Sequence, residues 1–82
     1  MLTRFWIVPV DRNGPMGIGV TGYDIEDALE IVRNRGYAIP DKASIREVVE
    51  NVQLEALPTF VQRHMGPMVV RGIWYPLTKV GL

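Results

Sequence analysis

The chain has 82 residues, 48% of them hydrophobic and 22% charged, with nine Lys+Arg against nine Asp+Glu and no cysteine. That is one globular domain, not two, and not a disordered segment; a chain this short buries roughly 60–65% of its unfolded surface, enough for one core but not for a deep enclosed site besides. Zero net charge with basic residues scattered from Arg4 to Lys79 gives no basic stripe for nucleic acid, and the lack of cysteine excludes disulfides, thiolate zinc sites and a thiol nucleophile.

A domain this small without disulfide staples is expected in a reducing cytoplasm. Met1–Val10 is too short for a secretory leader, with Arg4 inside it and Pro9 and Asp11 at its end. No stretch approaches the ~20 apolar residues of a membrane span.

In chain order, Thr3–Val10 (TRFWIVPV) is aromatic and β-branched, which predicts a strand. Pro9 places its far end at an edge or out of the ladder. Asp11–Pro15 is turn chemistry. Met16–Gly22 alternates, with Met16, Ile18 and Val20 on one side, so the first two strands are expected to form a hairpin. A helix over Ile25–Arg35 follows. Asp24 caps it, Ile25, Ala28, Leu29 and Val32 form one apolar stripe, acids crowd its first turn, and Gly36 ends it. Tyr37–Lys42 reads as a loop.

Ser44–Leu57 supports two readings. Ser44 and Glu47 make a capping-box pattern, and Ile45, Val48, Val49, Val52 and Ala56 would form a helical stripe. Four of those residues are β-branched, which suits a strand. The strand over Ile45–Val52 is carried forward, with a short helical turn at Leu54–Leu57 stopped by Pro58. Pro67–Tyr75 (PMVVRGIWY) predicts the last strand, and Leu77–Leu82 a loose tail.

The expected architecture is therefore α+β, in the order β-β-α-β-turn-β, as a single domain over 1–82 with one helix on one face of a small sheet. This layout resembles a β-grasp, the ubiquitin-like arrangement, over most of the chain. The ending Lys79-Val80-Gly81-Leu82 is not the Arg-Gly-Gly-like tail of ubiquitin, so the resemblance does not extend to conjugation. Separately, His64-Met65-Gly66-Pro67 through Arg71-Gly72-Ile73-Trp74-Tyr75-Pro76 looks like the ending of small uncharacterised bacterial proteins, a likeness that implies no activity.

No motif selects a reaction. Gly17–Gly22 matches G-x-G-x-x-G, but a dinucleotide helix begins within that motif, whereas here a strand continues and Asp24 puts a carboxylate where phosphate would sit. The glycines serve better as space for a large neighbour such as Phe5 or Trp6. His64 is a lone histidine with no metal-ligand partner at helical spacing. Asp24, Glu26, Asp27 and Glu30 read as a charged first turn and a solvated face. Ser44 and Thr59 lack a nucleophile-elbow context. No cofactor, metal or catalytic residue is expected.

The first and last strands are apolar on both faces, as strands buried on both sides are. One helix covers one face. Either Ser44–Leu57 and the Phe60 region cover the other, or it is open to a partner. The expectation is a non-enzymatic protein acting through protein–protein contact: a ubiquitin-like module, an adaptor, or an inhibitor or immunity-type protein. The partner is another protein, or a second copy in a homodimer, at the sheet face. The contact residues expected are Arg71 and Tyr75, with Arg4 and Trp6 beside them if the first and last strands are neighbours, and Trp74 turned inward. The alternatives are a small nucleic-acid-binding sheet using these arginines and aromatics, and an enzyme subunit whose site another chain completes. No membrane contact is expected.

Overall fold

A computed structural model describes residues 1–10, 17–37 and 45–76. The expected turn at 11–15, the loop at 38–42, the Ser44 cap and the tail at 77–82 lie outside the described residues. The elements are β1 (Thr3–Pro9), β2 (Ile18–Gly22), α1 (Ile25–Asn34), β3 (Ile45–Glu50), a 3-10 turn at Leu54–Ala56, α2 (Thr59–His64) and β4 (Gly72–Tyr75).

β1 and β2 pair antiparallel from Thr3 opposite Gly22 to Ile7 opposite Ile18. Pro9 is the last residue of β1 and sits at an irregularity against β3, where a missing amide costs least. α1 begins as its sequence dictates. The Asp24 carboxylate accepts from the Asp27 amide at 2.8 Å, filling one orphan donor of the first turn. At the other end Gly36 takes a φ of +102°, a conformation that costs a side-chain-bearing residue more, and its amide bonds to the Arg33 carbonyl at 2.9 Å.

The ambiguous segment is a strand, β3, paired antiparallel to β1. It stops at Glu50, two residues earlier than its composition suggests, because Asn51 turns the chain through a φ of +56°. Val52 thereby leaves the sheet and is buried beneath it. The helical turn before Pro58 forms as expected. Pro58 then opens a second helix, α2, which its six residues TFVQRH do not announce.

The last strand is shorter than its hydrophobic run. Only Gly72–Tyr75 pairs, and Met68–Val69 is a turn. The Met68 carbonyl is taken by the Thr21 hydroxyl at 2.7 Å, and Gly72 reverses the backbone at a φ of +139°. Those two constraints pull residues 68–71 away from the ladder.

The sheet is antiparallel throughout, in the order β3-β1-β2-β4, with α1 packed over β2 and β4. The protein is thus α+β. Its first and last strands are not neighbours, since β2 lies between them, and this strand order does not establish a β-grasp topology.

Two cores lie on the two faces. Phe5, Ile7, Ile18 and Val20 meet Ala28, Leu29 and Val32 of α1, with Ile73 and Ile45 at the margins. On the other face Trp74 and Trp6 meet Val52, Leu57, Val61, Met65 and Met68. The second apolar face is therefore covered by the chain's own residues 52–68. Of the two alternatives for that face, cover by the chain's own segment is the one observed, so the face beneath Trp6 and Trp74 is not open.

Candidate interaction surface

The sequence-predicted contact residues fall into two places. Trp6 and Tyr75 come together, with ring centroids 5.9 Å apart, and Trp6 also stacks on Trp74 at 6.1 Å and 24°. Glycines make room for this. A Cβ at Gly17 would stand 2.2 Å from the Trp6 ring, and one at Gly19 would stand 2.3 Å from the Trp74 ring. The Gly17–Gly22 motif is thus a strand whose open positions are filled by two indoles.

Strict alternation would put Trp74 and Tyr75 on opposite faces. A bulge prevents this: Gly19 pairs with Tyr75 but Val20 pairs with Ile73, leaving Trp74 as the additional residue. Trp74 does point inward, at 1% exposure. Tyr75, expected outward, is instead half-buried against the same cluster. Arg4 is half-buried opposite Thr21, and its carbonyl accepts from the Val52 amide at 3.4 Å. Arg4 and Trp6 thus lie on β1 and Tyr75 on β4, each half-buried, with Trp6 and Tyr75 packed against the second core.

Arg71 is elsewhere. It lies just outside β4 and grips Asp27 of α1 with two hydrogen bonds, Nε to Oδ2 at 3.0 Å and Nη2 to Oδ1. Asp27 Oδ2 also accepts from the Tyr23 amide at 2.9 Å. The Arg71 guanidinium stands 5.7 Å from the centre of the Tyr23 ring, within cation–π range. The hydrogen bond from Arg71, then that from the Tyr23 amide, holds the Asp27 carboxyl below its ordinary value, and Asp27 in turn raises Arg71. So the first-turn acids divide by role: Asp24 caps the helix and Asp27 receives Arg71. Among the described residues no three His, Asp or Glu side chains gather where they would hold a metal ion. His64 donates from Nδ1 to the Phe60 carbonyl at 2.9 Å and stacks on the Phe60 ring, closing the last turn of α2.

What the sequence reading missed surrounds Arg71. Tyr23 is 62% exposed, Val69 69% and Val70 59%. The two valines are not on a loose loop. On one side Met68 is buried, with its carbonyl on Thr21, whose hydroxyl also accepts from the Trp74 indole at 3.1 Å. On the other side Arg71 is held by Asp27. The pairings Thr3–Gly22 and Thr21–Gly72 put the start of β1, the end of β2 and the approach to β4 at one end of the sheet. Exposed Leu2 shares that end. The available signal was Arg71-Gly72, which separates Val69-Val70 from Ile73-Trp74-Tyr75.

No helix among the described residues is long and apolar enough to cross a membrane. No family model matches the chain, and neither a curated protein nor a solved structure matches it.

Proposed function

We propose that this is a non-enzymatic protein that binds another protein through the end of the sheet bearing Tyr23, Val69, Val70 and Arg71. The observation that carries this reading is the pair of exposed valines between two fixed points, Met68 on Thr21 and Arg71 on Asp27. Apolar side chains displayed by an already ordered loop lose little entropy on binding. A tyrosine and an arginine beside them are the residue types that dominate binding hot spots. An adaptor, or an inhibitor or immunity-type protein that plugs another protein, would use such a surface; a ubiquitin-like module would be a third form. A cysteine-free chain suits a reducing cytoplasm. Base stacking on the sheet is disfavoured, because Trp6 and Trp74 pack beneath residues 52–68 and the Arg71 charge is engaged by Asp27.

The test is a tagged copy with Val69→Ser and Val70→Ser, compared with the unaltered chain by mass spectrometry of retained proteins. The expected result is an unchanged thermal midpoint and loss of the retained partner. Equal retention by both would place the binding surface elsewhere.

A further inference from the structure

Among the described residues the two edges of the sheet are β3 and β4. β4 is four residues long. β3 is six, with Arg46, Glu47, Val48 and Glu50 exposed. Edge strands are ordinarily protected by charges that repel an incoming strand. The charges on β3 have both signs, and their order along the strand selects one partner.

An antiparallel copy of β3 related by a two-fold axis through Val48 sets Arg46 opposite Glu50, and Glu50 opposite Arg46. Val48 then meets Val48, and each Glu47 meets Val49. A shift of the axis to Glu47 opposes two glutamates. A shift to Val49 leaves no opposite charges facing. A parallel copy in register opposes like with like at every charged position. Opposite charges directly across an antiparallel pair stabilise it and like charges destabilise it. Arg46 is the bulge residue left over where Glu47 pairs with Val8 and Ile45 with Pro9, so it stands out of strict ladder register and its long side chain must span that offset to meet Glu50. Neither Arg46 nor Glu50 has a charged partner among the described residues.

Among the described residues the helix side of the same edge is open as well. α1 packs over β2 and β4, leaving a cleft of about 280 Å³ along β3 lined by Ile25, Ile45, Arg46, Glu47 and Val48. A two-fold axis perpendicular to the sheet keeps both helices on one face and brings the two clefts together across the Val48 pair.

We infer that two copies of this chain join through β3, antiparallel about Val48, into one eight-stranded sheet. The outermost strands of that sheet are the two copies of β4, so the Val69/Val70 surfaces remain free and are displayed in pairs. This goes beyond the partner surface proposed above and does not depend on it.

Sedimentation over a hundredfold dilution series tests the inference. The unaltered chain should show a concentration-dependent dimer. Arg46→Glu and Glu50→Arg should each weaken it roughly tenfold or more, because two attractive pairs become two repulsive ones. The combined R46E/E50R chain exchanges the charges and should return to within about threefold of the original. Thermal midpoints identify any variant whose fold has suffered. A second measurement needs no charge change: Val48→Cys places a single thiol at the axis of a chain with no cysteine, and oxidation should cross-link it, while Val69→Cys should not cross-link at the same concentration. The V69S/V70S chain should dimerise normally. A monomer at every concentration, no rescue in the combined variant, or cross-linking of the V69C chain as readily as the V48C chain overturns the inference.

Discussion

At the scale of single residues, the second core depends on side chains that are missing. Gly17 and Gly19 let the two indoles lie across β2, and any Cβ at Gly19 would stand 2.3 Å from the Trp74 ring. Gly19→Ala is expected to cost roughly 1–3 kcal/mol as an overpacking change, seen as a lower denaturant midpoint. An unchanged midpoint would show that Trp74 is not seated there. Asp27 links stability to pH. Its carboxyl is held below its ordinary value in the folded chain because Arg71, and then the Tyr23 amide, bond to the ionised form. A folded value below the unfolded one means that the contribution is fully present above the unfolded value and is lost as pH falls through the folded one. Asp27→Asn should therefore flatten the acid limb of a stability–pH profile, while leaving its shape above pH 5 or so unchanged. Added salt should weaken the unaltered chain's advantage over the variant, since the Arg71 side chain is 47% exposed and the pair is open to screening.

Among the elements, the two helices were unequally legible. α1 carries its own instructions: a cap, a stripe and a terminating glycine. Its Leu29 is fully buried, and Leu29→Ala should lower stability by roughly 2–5 kcal/mol in chemical denaturation. α2 has six residues, far below the length at which a helix holds alone, and buries only Val61. It forms because docking Val61 beside Leu57 and Met68 covers the indoles. Val61→Asp should release this layer and move tryptophan emission to longer wavelength, because Trp6 and Trp74 lie beneath it. Emission that stays unchanged would mean the layer is not the cover. β4 shows the opposite imbalance: nine residues suit a strand, but only four join the ladder.

For the whole molecule, the arrangement is three layers: α1, the sheet, and residues 52–68. β1 and β2 are central in the sheet and covered from both faces. Backbone amides of Phe5 and Val20 should exchange with solvent deuterium only through global unfolding, and those of α2 through local opening. Comparable rates in β1 and α2 would contradict the layering. The proposed partner surface lies by β4 and the proposed dimer edge is β3, so variants at one should leave binding at the other intact.

From the sequence alone came the α+β class, α1 with both its ends, the pairing of the first two strands, and the burial of Trp74. Each of these depends on neighbours within a few positions: a cap three residues away, an alternation of two, a stripe of three and four. Tertiary structure decided that Ile45–Glu50 is a strand rather than a helix, because β1 supplied a free edge for it. It also decided that Tyr75 joins Trp74 on one face, through a bulge opposite Gly19 that no periodicity encodes. And it decided that the second face is covered while Val69 and Val70 are exposed. The exposure of Val69 and Val70 rests on bonds between residues 47 and 44 positions apart, Thr21 to Met68 and Asp27 to Arg71, and contacts at that separation leave no local pattern in the chain.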